Sequence, residues 1–471
     1  LNPDATEIIA HYTSSNSVMP SNSVISLAYN EERRQMFIGT GMGLISYLQD
    51  PDATSDIDIH NDDVTYGDMY QWRSHTSFSK VDEVVVMNNK TFGLSSNALF
   101  SIDKNTEELE YYNVLNGLNG TTINHIAYNK DLNRMLITYQ DGQLDVMSED
   151  GFVYNIPDLY LKQMNVSKQV NDICMHGQKA YLAMSFGILV LDMDKAEISE
   201  TYYIGHEASE VNVTQIAINN NTIFASTNTQ LYCANIADNL VDYSYWKLQP
   251  LPPQKTVRSM RAFQNKLYII ANQQDTLIHY LDNREWKSIR TEYPMRLLCL
   301  SENNLYMFPH SVTGLWKLHP DQSIQRCFWY GYSYSVQEDK DVYWLGTYND
   351  GLVKYKASEK EPEKKYCPDG PINNNSYRLR FFGDKLYMLP GGRWADEYKR
   401  LGEIMIYQNG WWQNIGNSEL VKKTNHAIYD IMNVAQDPKD ESHYFMTTYG
   451  TGLLEMRDSN FVKLYLIFVQ I

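Results

Sequence analysis

The stretch Phe37-Ile38-Gly39-Thr40-Gly41-Met42-Gly43-Leu44-Ile45-Ser46-Tyr47 decides the fold. Phe37 and Ile38 close one apolar run. Gly39 to Gly43 form a turn rich in residues that tolerate φ > 0, and Leu44, Ile45 and Tyr47 open the next strand. The pattern returns as Trp344-Leu345-Gly346-Thr347-Tyr348-Asn349-Asp350-Gly351-Leu352-Val353, and again as Phe445-Met446-Thr447-Thr448-Tyr449-Gly450-Thr451-Gly452-Leu453-Leu454. A hairpin that recurs in this way predicts a repeat protein, so the period is sought before anything else.

Aligning the start of the strand after each turn gives a register at Gly43, Ala98, Gly142, Gly187, Gln230, Thr276, Gly314, Gly351, Gly402 and Gly452. The spacing averages about 45 residues, the period of a four-stranded propeller blade. Each unit runs apolar strand, polar turn, second strand, turn, third strand, then a more polar fourth strand such as Glu285-Trp286-Lys287-Ser288-Ile289. A lone blade cannot bury both faces, and radial packing in a ring does. The fold class expected is therefore all-β: a seven-bladed β-propeller plus part of a second. Gly39 and Gly346 lie 307 residues apart, about seven units of 44. Residues 1–331 are accordingly expected to form the first ring, and 332–471 three blades of a second, incomplete one. The alternative is that unit one and units eight to ten share a ring, with the rest inserted. The abrupt apolar end at Leu464-Tyr465-Leu466-Ile467-Phe468-Val469-Gln470-Ile471 is read as a strand cut off within a longer protein.

Composition narrows the function. A net charge of -17 over 471 residues argues against nucleic acid, whose phosphates need a basic footprint. The 36 tyrosines suit half-buried pleated strands. Five scattered cysteines, with no CxxC, predict neither a disulfide framework nor a metal site; Cys174, Cys233 and Cys299 read as small core residues. No apolar run is long enough to span a bilayer. The start at Leu1-Asn2-Pro3-Asp4 reads as a trimmed N-terminus, compatible with export.

Catalytic motifs are absent from the sequence: there is no HExxH, GxSxG or P-loop. The acidic insertion with Asp56, Asp58, Asp62 and Asp63 fails the EF-hand test, with Asn61 where glycine belongs and Gly67 where glutamate belongs. It reads as a solvated loop, as does the mixed-charge run 357–365. His75, His125 and His279 would need acidic partners across a propeller mouth to do chemistry. Cys367 has no local base. No cofactor, metal or catalytic residue is assigned.

The candidate recognition site is the insertion in unit nine. Arg393, Lys399 and Arg400 lie close in sequence to Trp394, Tyr398, Trp411 and Trp412. Arginine with aromatics is the composition of binding hot spots and sugar platforms. The plainer reading is a long loop folded over its own blade, with Trp411 and Trp412 packed as last-strand residues.

The pattern Val24-x-Ser26-Leu27-Ala28…Phe37-Ile38-Gly39-Thr40…Gly43-Leu44-Ile45-x-Tyr47 resembles the two-component regulator propeller repeat. Three stretches are similar to the PorZ family of type IX secretion system components. These are residues 17–24, the unit-nine signature Pro390-Gly391-Gly392-Arg393…Tyr398-x-Arg400-x-Gly402-x-Ile404-Met405-Ile406-Tyr407…Trp412-x-Asn414, and Asp430-Ile431-Met432-Asn433-Val434-Ala435-Gln436-Asp437-Pro438. This resemblance implies two seven-bladed propellers followed by a β-sandwich, and a non-enzymatic role at the outer membrane surface. It also implies work with PorU-, PorV- and PorQ-like partners and delivery of anionic lipopolysaccharide to secreted cargo. Two other readings stay open: the periplasmic carbohydrate-sensing region of a hybrid two-component sensor, and a lyase or glycosidase built on a propeller.

Overall fold

The computed structural model describes residues 11–14, 16–48, 72–252, 256–271, 274–301, 303–392, 397 and 399–466. The acidic insertion at 56–63 and the terminal residues 467–471 lie outside these. Among the described residues are ten four-stranded sheets, each a meander of strands consecutive in sequence. Blade one spans residues 24–75. Blades two to eight span 81–112, 123–156, 170–202, 215–248, 259–290, 295–328 and 333–366. Blades nine and ten span 378–415 and 431–465.

The repeating grammar of the sequence has a packing cause. Second and third strands are covered on both faces by neighbouring blades, so Lys179–Met184 and Gly187–Asp192 are buried almost throughout. Fully covered strands read as continuous apolar runs rather than alternating ones. Fourth strands stand at the rim, and Glu285–Arg290 is accordingly mostly exposed.

The turn glycines follow from a close approach. At Gly187, Gly314, Gly351 and Gly452 a Cβ would come within 2.1–2.6 Å of a backbone carbonyl at the end of the same blade's fourth strand. The third strand starts where the fourth strand finishes, and only a residue without a side chain fits between them.

The chain divides into two compact units: Ser79–Cys367, and Leu1–Phe78 together with Pro368–Ile471. The first, which we call the inserted unit, holds blades two to eight and closes into a seven-bladed ring. Closure brings the first strand of blade eight, Ser333–Asp339, against that of blade two, Val81–Met87. The Val84 amide donates to Ser335 Oγ at 3.1 Å, and a Cβ at Gly346 would meet the Val81 carbonyl at 2.7 Å. The expected division at residue 331 is thus corrected. Blade eight completes the first ring instead of starting a second, and blade one belongs elsewhere. Counting units gave the right ring size with the wrong starting blade, because blades one and eight carry the same turn.

The second unit, split in sequence, packs blade one against blade nine and blade nine against blade ten. Ser26 Oγ donates to the Ser376 carbonyl, and Ser376 Oγ donates to the Thr40 carbonyl at 3.0 Å. Phe37, from the opening stretch, lies among Leu379, Phe381, Leu386 and Tyr407 of blade nine. Of the two sequence alternatives, this is the one with an insertion, except that blade eight sits in the inserted ring. An eight-residue helix, Asn417–Thr424, precedes blade ten, with Glu419 in its first turn and Lys422 and Lys423 in its last, as the helix dipole favours.

Candidate functional site

The first strands line the axis of the inserted ring. On six of the seven, a polar residue at one register faces the next blade. Glu83 Oε2 accepts the Ile126 amide at 2.8 Å, Asp172 Oδ2 accepts that of Ile216 at 3.0 Å, and Gln215 Oε1 accepts that of Met260 at 3.2 Å. Ser259 Oγ accepts the Leu298 amide at 3.0 Å, and Ser335 closes the circle to Val84. The two remaining junctions use other atoms. His125 bonds the Val170 backbone, and Cys299 Sγ donates to the Val336 carbonyl at 3.6 Å. Every blade-to-blade junction of the ring is therefore crossed by at least one side chain of a first strand.

Charge concentrates on this belt. Arg261 of blade six reaches across blade five to Asp172 of blade four, with Nη1 and Nη2 at 3.1 and 3.2 Å from the two carboxylate oxygens. A two-pronged pair of this kind fixes geometry as well as charge. His125 Nδ1 lies 2.5 Å from Glu83 Oε1. Burial pushes the Cys174 thiol up to about 11 and raises that of Cys299. Both thiols stay protonated near neutral pH and are poor nucleophiles. These groups spend their bonding capacity on one another and on backbone amides, which suits a rigid scaffold.

His125 gives a pH test. Burial alone would lower its pKa, but the Glu83 carboxylate, by charge and by hydrogen bond, brings it above the ordinary value. A histidine with a raised folded-state pKa contributes stability that is complete below its unfolded pKa and fades as pH rises through the folded one. The urea midpoint of the chain is therefore expected to lose this contribution as pH climbs past about 6.5. His125→Gln should remove that part of the pH dependence. A variant whose midpoint follows wild type at every pH would count against the pair.

The three histidines singled out in the sequence do not meet. His75 is buried in the split unit, 2.9 Å from Ser46 Oγ, with its pKa lowered by burial and then by Arg73. His279 is buried in the third strand of blade six, 2.8 Å from Ser288 Oγ. Only His125 faces an axis. Cys367 is exposed.

In the unit-nine insertion, Arg393, Trp394 and Tyr398 lie outside the described residues. The amides of Lys399 and Arg400 donate to the buried Asp430 carboxylate at 3.0 and 2.8 Å. The Arg400 guanidinium donates to the Pro390 carbonyl at 2.8 Å and to Glu397 Oε1 at 3.0 Å. Trp411 and Trp412 stand at the far end of the third strand, Ile404–Gln408, and so are not gathered with Arg400. Trp411 is 55% exposed, whereas Trp412 packs on Tyr407 and His75. Of the cluster expected from sequence proximity, Arg400 and the two tryptophans are thus one strand length apart, and the Arg400 guanidinium is occupied. Arg400→Ala is expected to lower stability by about 1 kcal/mol, because it strands the carbonyl and carboxylate it satisfies. A thermal melt identical to wild type would contradict that role.

The axial belt was not read from the sequence. Its signal was present, as polar residues at one register of six of the seven first strands: Glu83, His125, Asp172, Gln215, Ser259 and Ser335, with Leu297 the exception in blade seven. Aligning first strands as well as third strands exposes it.

Residues 91–247, which fall within blades two to five, match the family model described as the type IX secretion system PorZ N-terminal β-propeller domain. A solved structure of PorZ, an essential bacterial surface component of the type IX secretion system of Porphyromonas gingivalis, aligns with a TM-score of 0.71 at 22% identity. The fold of this chain is similar to that of PorZ. The alignment covers 84% of this chain and 53% of the PorZ structure, so the chain spans about half of that relative's length. The WD40 propeller of Doa1 aligns at TM-score 0.46 and 12% identity, over 61% of this chain and 95% of its own. The extracellular domain of the putative hybrid two-component system BT3049 from B. thetaiotaomicron aligns at 0.37 and 15%, over 94% and 64%. At these scores neither carries an argument beside the PorZ match. A comparison with curated protein sequences finds no match. No helix among the described residues is long and apolar enough to cross a membrane.

Proposed function

We propose that this chain is a non-enzymatic, exported binding and scaffold protein of the PorZ kind. In this reading it acts at the cell surface, at the outer membrane, and assists attachment of type IX secretion cargo. It does so by holding anionic lipopolysaccharide or partner proteins related to PorU, PorV and PorQ. The observation that carries the proposal is the match of residues 91–247 to the PorZ N-terminal propeller. The axial belt is in keeping with it, since its charged groups lock blades together.

The test is genetic. Deleting the gene in its own bacterium should reduce the amount of secreted cargo anchored on the cell surface, and restoring the intact gene should recover it. Unchanged surface cargo in the deletion strain would overturn the reading.

A further inference from the structure

Blades seven and eight of the inserted ring are joined by Phe328-Trp329-Tyr330-Gly331-Tyr332-Ser333-Tyr334, the densest aromatic run in the chain. Gly331 turns it with φ +54. The connection lies at the same end of the ring as the turns between second and third strands, because the Tyr348 amide donates to the Tyr332 carbonyl at 2.8 Å. The neighbouring blade repeats this contact, His310 donating to Pro294 at 2.8 Å. That end therefore carries two linked aromatic groups. Tyr332, Tyr334 and Tyr348 stand with ring centroids 5.9–6.4 Å apart. Trp329 meets Trp316 and Tyr293 edge-on at 5.2 and 5.9 Å.

Two guanidiniums lie on these rings. Arg296 is 4.2 Å from the Tyr332 centroid and 4.9 Å from that of Tyr334, and Arg326 is 4.5 Å from that of Trp329. The Arg296 guanidinium is held by the chain itself, donating from Nε to the Pro309 carbonyl at 3.1 Å and from an Nη to the Ser333 carbonyl. Arg326 is exposed and, among the described residues, has no carboxylate within ion-pair distance, although the chain as a whole carries -17. Lys80, 4.8 Å over Tyr334, is by contrast paired with Asp82 at 2.6 Å. Trp329 is 44% exposed and Tyr348 43%. Large aromatics normally hide their rings, and exposed ones beside an uncompensated cation mark a binding surface.

We propose that this end of blades seven and eight is a binding platform for an acidic saccharide chain. Saccharide rings present flat C–H faces that stack on tyrosine and tryptophan, and their hydroxyls suit phenol and guanidinium donors. The exposed Arg326 guanidinium gives the surface a preference for carboxylate- or phosphate-bearing sugars. A proteinaceous partner would need an apolar core to its interface, and here each ring group is crossed by a cation. The platform rests on the proposed binding function and gives it an address in the inserted ring instead of the unit-nine loop.

The test is an array of saccharides bearing uronate, sialate or phosphate groups, with their neutral parents and a polyglutamate peptide as controls. The intact chain should retain acidic saccharides above neutral parents and above the peptide. Trp329→Ala with Tyr348→Ala should lower retention at least tenfold, and Arg326→Gln should narrow the acidic-over-neutral preference. Both are exposed changes, so melting temperatures should match wild type. Equal retention by the double variant would overturn the platform while leaving the surface-scaffold reading standing. So would capture of polyglutamate as strongly as any saccharide, or no retention at all. Loss of the cargo phenotype is read separately, in cells.

Discussion

Asp145→Ala will unfold the inserted propeller at a denaturant concentration well below that of wild type. Asp145 is fully buried in the third strand of blade three. Its carboxylate accepts the Tyr139 hydroxyl at 2.6 Å, the Asn119 amide at 2.9 Å, Asn119 Nδ2 at 3.0 Å and Asn155 Nδ2 at 2.8 Å. One side chain thus ties the incoming loop, the second strand and the fourth strand to the third. Removing it strands those donors where water cannot replace the acceptor, and the expected cost is roughly 3–5 kcal/mol. Tyr139 would suffer most: burial first, and then the Asp145 charge, hold its phenol firmly protonated. Asp145→Asn keeps the volume and one acceptor and should cost about 1–2 kcal/mol. Asp131→Ala, at an exposed position of the same blade, should fall within about 0.5 kcal/mol of wild type. Urea unfolding of the three variants ranks them. An Ala variant as stable as the Asn variant would show that the buried network contributes little.

Gly351→Val should cost about 3–4 kcal/mol, from two separable sources. The first is conformational, since Gly351 has φ +68. The second is steric, since a Cβ there would lie 2.4 Å from the Tyr366 carbonyl. Gly177 isolates the first: its φ is +54 and a Cβ would meet nothing within 4 Å. Gly177→Ala should therefore cost about 1 kcal/mol, the left-handed penalty alone, while Gly351→Ala should exceed it by the price of moving a strand end. Equal losses at the two sites would mean that the blade end yields freely, and the close-approach account of the repeated glycine would then be wrong.

Much of the architecture was legible because it is periodic. Apolar second and third strands, polar fourth strands and glycine turns such as Gly351 and Gly452 each mark one blade. Blade number and ring size follow from them. Which blades share a ring did not follow, since that depends on lateral contacts such as Val84 with Ser335 and Ser26 with Ser376. Those pairs lie hundreds of residues apart and leave no local pattern. The described part of the candidate site is the opposite case. Arg400, Trp411 and Trp412 are near in sequence, yet a strand runs between them. Proximity along the chain is a poor guide wherever a hairpin sends its two ends to opposite edges of a blade. The run from Phe328 to Tyr334 was legible by composition and went unremarked because it falls in a connection between blades.

The split of the second unit around the first has a consequence for the order of assembly. Blade one is synthesised first, but Ser26 waits for Ser376, 350 residues later. Closing a floppy loop of that length costs about 5 kcal/mol of chain entropy. The inserted ring removes most of that cost once it has folded. Its entry and exit converge on one residue, with the Ser79 carbonyl accepting the Gly351 amide at 2.8 Å and Cys367 packed beside the same glycine. The ring is therefore a clasp as well as a domain. It forms from seven blades contiguous in sequence, and in forming brings the earliest part of the chain to the latest. A lesion inside the ring should delay folding of blade one, which lies outside it and shares none of its strands.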